Sequence, residues 1–163
     1  MDLSFDIRNS KGDHVMVALS YYDYDIVSSF SYGQIMPALA FCDVALIRKS
    51  GDGYVGYKVL FAVSDTLAKF MNDNENVVLC FYCDANSDVR RNHNDISPQE
   101  YRSQLFSRMF ELYVKSRNLS DYINHRIEIE DSEDCANRQF AHFICHKKYE
   151  SAVTSIGQVL MQK

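Results

Sequence analysis

The chain has 163 residues, 47% hydrophobic and 24% charged, the makeup of an ordinary globular domain rather than a fibre, a repeat array or a disordered tail. A chain of this length buries roughly 68–70% of the surface it exposes when unfolded, so its core needs neither a disulfide nor a structural metal. Its 22 acidic against 17 basic side chains give a net charge of −5, which argues against coating nucleic acid or an anionic membrane by global charge.

The first residues, MDLSFDIRNSKGD, carry an acid at position 2 and no apolar stretch of signal-peptide length, and no later run nears the ~20 apolar residues of a membrane span. A soluble cytoplasmic protein is expected. Leu3, Phe5 and Ile7 alternate with Ser4, Asp6 and Arg8, the turn-like NSKGD follows, and VMVAL comes next, which together predict a β-hairpin. Ile26 to Tyr32 reads as a further strand, interrupted by Pro37. Ala38 to Ile47, ALAFCDVALI, is apolar on both faces, as a central strand is, and RKSGDG ends it. From about Tyr54 to Met71 the period turns helical, with Leu60, Val63, Leu67 and Phe70 on one stripe. NDNEN breaks that helix, and Val77 to Tyr82 is a second buried strand closed by Cys83 and Asp84.

The polar loop ANSDVRRNHNDI runs into Ser97-Pro98-Gln99-Glu100, a capping box with proline at the first helical position, where a missing N–H costs nothing. The helix it opens extends to about Arg117. Tyr101, Leu105, Met109 and Leu112 with Phe106, Phe110 and Tyr113 form its apolar face, and Gln104, Arg108, Glu111 and Lys115 its wet one. Ile123, His125, Ile127 and Ile129 alternate with Asn124, Arg126, Glu128 and Glu130 in a half-exposed strand. After the acidic turn DSEDCAN comes another strand, RQFAHFICH, and Tyr149 to Met161 closes the chain as a helix carrying Val153, Ile156 and Leu160. The order predicts one α+β domain over residues 1–163: a single mixed, largely antiparallel sheet flanked by about three helices.

Five cysteines, an odd number at irregular spacing, do not make a disulfide framework. Cys80 and Cys83 are three apart in a predicted strand, so they point to opposite faces and do not close on one metal; the same holds for His142 and Cys145. No metal is expected. Other polar features read as structure or surface: Arg102 is placed to pair with Asp84, Arg90, Arg91 and His93 form a short basic loop, and Tyr21-Tyr22-Asp23-Tyr24-Asp25 is an aromatic and acidic cluster suited to a partner surface.

Gly51-Asp52-Gly53-Tyr54-Val55-Gly56 fits G-x-G-x-x-G between a strand and a helix, but the hairpin-rich half before it is not doubly wound and the next strand-end acid, Asp84, is about 30 residues on, farther than a dinucleotide site wants. One step earlier the segment is Arg48-x-x-Gly51-x-Gly53, which resembles the acyl-CoA diphosphate loop of the GNAT-type N-acetyltransferase superfamily. Leu112-Tyr113-Val114-Lys115 resembles that superfamily's L-Y-x-K stretch, and the order strand, helix, strand, helix, strand, strand resembles its later half. The resemblance spans residues 38 to 146. It implies a GNAT-like fold, acetyl-CoA or another acyl-CoA as cofactor, Arg48, Gly51 and Gly53 at its diphosphate, and Tyr113 as the general acid. Cys83-Asp84 followed by Arg102-x-x-x-Phe106-x-Arg108-x-Phe110 resembles an uncharacterised domain-of-unknown-function family of small Bacteroidota proteins, which implies a bacterial fold and adds no chemistry.

Two functions are therefore weighed. One is acyl-CoA binding with acyl transfer to an amine; the other is a non-catalytic binding or regulatory module on the same kind of sheet. The sequence names no partner and leaves self-association into a homo-oligomer open.

Overall fold

In the computed structural model, which describes residues 3–10, 12–22, 39–50, 57–83, 96–117, 119–129 and 138–160, the alternating runs at the start pair as an antiparallel hairpin. β1 (Leu3–Arg8) and β2 (His14–Tyr21) set Leu3 opposite Leu19, Phe5 opposite Val17 and Ile7 opposite Val15. That register gathers the apolar residues of both strands on one face, where Val15, Val17 and Leu19 are buried. Asn9 closes the turn: its Nδ2 donates to Asp13 Oδ2 at 2.7 Å, and its Oδ1 accepts from the Asp13 N–H at 3.0 Å. Gly12 supplies the backbone reversal at φ +86°, a left-handed conformation that costs glycine little and other residues more.

β3 (Ala40–Ser50) runs antiparallel to β2, with Leu46 opposite Val17 and Arg48 opposite Val15. It starts two residues later and ends three residues later than the apolar run predicts, because Arg48 and Ser50 continue the pairing with β2 across a bulge at Lys49. Only its first half behaves as a central strand. Phe41, Cys42 and Val44 are buried, whereas Ala45 to Ser50 are all exposed.

α1 (Tyr57–Asp73) buries Val59, Val63, Leu67, Phe70 and Met71, a stripe at steps of three and four, and packs on β1. Leu60, expected on that stripe, is half-buried beside it. The Asn74 carboxamide ends the helix by donating to the Phe70 carbonyl at 2.8 Å. β4 (Val77–Cys83) follows and is buried from Val77 to Phe81. The Ala40 N–H donates to the Asn76 carbonyl at 2.9 Å. β3 and β4 therefore set out from the same end, as a strand–helix–strand crossover requires.

Ser97 Oγ accepts the Glu100 N–H at 3.2 Å and opens α2 (Pro98–Arg117), half of the expected capping box. β5 (Tyr122–Ile129) and β6 (Gln139–His146) form an antiparallel hairpin with Arg126 opposite His142. A short turn, Lys147–Tyr149, leads into α3 (Glu150–Leu160), in which Ala152, Val153 and Ile156 are buried. The strands make one mixed six-stranded sheet in the order β1-β2-β3-β4-β6-β5, with three helices among the described residues, an α+β fold. Packing divides the chain into two compact units, Met1–Leu79 and Cys80–Lys163. No helix among the described residues is long and apolar enough to cross a membrane.

Expectations for the strand at Ile26 to Tyr32, the glycine loop, the polar loop with Asp84 and the acidic turn lie outside the described residues. The turn at Gly12 yields a direct test. A Cβ there meets nothing within 4 Å, so Gly12→Ala should cost about 1 kcal/mol from backbone strain alone. Gly12→Asn should recover part of that in urea denaturation.

Candidate functional site

In the first unit, Arg48 lies near the end of β3. Its Nη2 is 3.9 Å from Asp13 Oδ1, and Ser50 Oγ donates to the Gly12 carbonyl at 3.1 Å. The β1–β2 turn, itself locked by Asn9, thus holds the strand end that leads to Gly51 and Gly53; both glycines lie outside the described residues. In the second unit, Tyr113 is half-buried on α2, its carbonyl accepts from Ser116 Oγ at 2.9 Å, and Arg117 Cζ is 5.8 Å from its ring centroid.

The most constrained chemistry in the second unit involves residues that pattern reading assigned elsewhere. The even-numbered residues of β5 were expected to face water. Arg126 does, but α2 packs on the β5–β6 hairpin beside it, with Ser103 of that helix fully buried against His142. Leu112, expected on the buried stripe, is 51% exposed. The helix is therefore turned so that a small hydroxyl meets the strand polar groups, while Phe106 stacks near Phe81, centroids 4.7 Å apart, and near His142 at 6.1 Å.

Four side chains close a chain of hydrogen bonds there. Arg126 Nε is 2.7 Å from Ser103 Oγ, Ser103 Oγ is 2.8 Å from His142 Nε2, and His142 Nδ1 is 3.1 Å from Asn124 Oδ1. Proton placement follows from what each group offers. Arginine only donates, so Ser103 accepts from Arg126 and gives its single proton to Nε2. Nδ1 then carries the imidazole proton and donates to Asn124. Every link is satisfied in one direction only.

His142 is 1% exposed and Ser103 is fully buried. Burial, reinforced by the Arg126 charge, lowers the His142 pKa from 6.5 to about 4, so the imidazole is neutral at physiological pH. Hydroxyl, imidazole and carboxamide are ordered as nucleophile, base and orienter would be. Without exposure the Ser103 hydroxyl reaches no substrate, and the arrangement instead fixes α2 on the hairpin.

Cys42, Cys80, Cys83 and Cys145 are buried thiols. Burial and the nearby Glu150 carboxylate push the Cys145 thiol up to about 12, far from the thiolate range. Among the described residues no three His, Cys, Asp or Glu side chains cluster closely enough to hold a metal ion. No protein-family model, curated protein or solved structure matches the chain.

Sequence reading weighed His142 only as a metal donor or core residue and passed over Ser103, Asn124 and Arg126 as network members. A signal was present: a histidine in the middle of the apolar strand FAHFICH, opposite a strand with a polar alternate set, and Gln99 and Ser103 one turn apart on a helix.

Two measurements follow. The unfolded chain takes up a proton near pH 6.5 that folded His142 refuses until about pH 4. This group should therefore leave stability unaffected above that window and remove up to about 3 kcal/mol as pH falls through it. Denaturation curves between pH 4 and 8 should show that slope in the wild type and a smaller one in His142→Phe. Secondly, Ellman's reagent should modify the four buried thiols only as fast as the protein unfolds, leaving at most one fast equivalent, from Cys135.

Proposed function

We propose that the chain is a GNAT-like acyl-CoA-binding protein that transfers an acyl group to an amine. The observation behind this reading is the second half of β3. Ala45 to Ser50 stay paired with β2, save for the bulged Lys49, yet are exposed, with Leu46 at 36% and Ile47 at 39%. An exposed strand end that carries Leu46 and Ile47, then Arg48 and Lys49, and leads in sequence to a glycine pair suits an extended ligand with an anionic group. Arg48 is held at that end by Asp13 on one side and by the Ser50 bond to Gly12 on the other. From β3 onward, the order strand, helix, strand, helix, strand, strand also agrees with the proposed relationship.

In this reading the Arg48 guanidinium supplies charge to the diphosphate, and Gly51 and Gly53 leave backbone N–H groups open to it. The neutral amine attacks the thioester carbonyl, the carbon–sulfur bond breaks, Tyr113 gives its phenolic proton to the departing thiolate, and the proton shed by the amide nitrogen restores the phenol through water. A second reading, a non-catalytic binding module, is favoured by one feature: the nucleophile-like Ser103–His142 pair is sealed from solvent.

Thermal unfolding with acetyl-CoA and with free CoA separates these readings. Binding should stabilise the protein by about 2.7 kcal/mol at a hundredfold excess over Kd. Arg48→Ala should weaken the shift and Gly53→Val should abolish it. Tyr113→Phe should keep the shift and lose turnover if the protein is an acyltransferase. A shift with no turnover in the wild type supports the module, and no shift with either ligand removes the acyl-CoA reading.

A further inference from the structure

Arg126 is held by more interactions than an exposed arginine needs, and the part of it that recognises ligands is left over. Its Nε is committed to Ser103 Oγ at 2.7 Å, and its Cζ lies 4.3 Å from the Phe140 ring centroid. Ser103 cannot rotate away without breaking its bond to His142, which in turn is fixed by Asn124. The aliphatic stem and one edge of the guanidinium are therefore set by a buried network. The residue itself is exposed, and its two η nitrogens have no hydrogen-bond partner among the described residues.

No carboxylate among the described residues pairs with this cation. Glu128, two positions along on the same strand face, is engaged by Arg138 at 3.2 Å. The unbalanced charge is felt inside the protein, since Arg126 is one of the two causes that disfavour a proton on His142. A planar fork with its orientation fixed in advance, exposed and with no counter-ion among the described residues, is the arrangement that binds the two oxygens of a carboxylate or phosphate, because the ordering cost of a long side chain has already been met.

We propose that Arg126 is the centre of an oxyanion-binding site on the β5–β6 hairpin, taking a carboxylate or phosphate group through its η nitrogens, with Ser103, His142 and Asn124 as positioning residues. The site is independent of the acyl-CoA reading. It lies in the second unit, uses none of Arg48, Gly51 or Gly53, and is tested without CoA.

The experiment is a titration of the full chain, ¹⁵N-labelled, with inorganic phosphate and separately with acetate, in chloride at constant ionic strength, following the arginine side-chain Nε–H resonances. The Arg126 signal is assigned by its loss in Arg126→Lys. It should move with a saturating curve, and the tighter of the two anions tells whether the natural ligand presents phosphate or carboxylate. Arg126→Lys keeps the charge and loses the fork, so backbone shifts of the hairpin on titration should saturate at several-fold higher anion concentration. Ser103→Ala, which touches no ligand, should weaken binding several-fold while the other arginine signals behave as in the wild type. A response that fails to saturate across the millimolar range for both anions overturns the proposal. So does equal affinity in Arg126→Lys, a surface change expected to fold even if Ser103→Ala does not.

Discussion

The hydrogen-bond chain from Arg126 through Ser103 and His142 to Asn124 is the constraint on which the second unit depends. A strand face carrying asparagine, arginine and histidine is a poor floor for a helix, since each buried polar group left unpaired costs about 1–3 kcal/mol. The chain removes that cost only when one helix residue, Ser103, stands over one imidazole. A shift of α2 that brought Phe106 to that place would leave both His142 Nε2 and Arg126 Nε unsatisfied. Apolar packing is tolerant of small shifts, whereas this network has one solution. It therefore sets the registry of helix and hairpin, while Phe81, Phe106 and Phe140 supply the apolar area around it.

The first unit is held differently. Its hairpin register and the α1 stripe are apolar and periodic, and the polar contacts concentrate at one end, where Asn9, Asp13, Gly12, Arg48 and Ser50 meet. These bonds are partly exposed and individually weak. Their consequence is local: they steady the last residues of an exposed strand just before the glycine loop. The acyl-CoA reading rests on that steadied strand end, whereas the oxyanion site rests on the buried network of the second unit.

Charge distribution connects both. The chain is acidic overall, yet the two arginines of interest are each fixed from behind. Arg48 has Asp13 beside it, so a ligand there displaces or shares an existing ion pair. Arg126 has a hydroxyl rather than an acid beside it among the described residues, and its charge adds to the burial that keeps His142 neutral. A neutral imidazole is what lets Nε2 take the serine proton, because a protonated His142 has no lone pair left to accept it.

Much of the fold was legible in the sequence because local rules governed it. Period-two alternation marked β1, β2 and β5, a stripe at steps of three and four marked α1, and Ser97-Pro98 marked the start of α2. Those signals come from residues close in the chain and need no knowledge of what lies opposite. The candidate site was less legible for the opposite reason. Polar residues on β5 read as solvated because exposure is the usual fate of such residues, and Leu112 read as buried because it is apolar. Which face of α2 turned inward was decided by the fit of Ser103 to a histidine 39 positions away, a pairing that neither segment encodes alone. The sequence by itself determined the elements, their order and the α+β class. Only the tertiary structure decided that a helix settles on part of a sheet face carrying Asn124, Arg126 and His142, because hydrogen bonds satisfied across distant segments let the buried Ser103 and His142 take the place of an apolar contact.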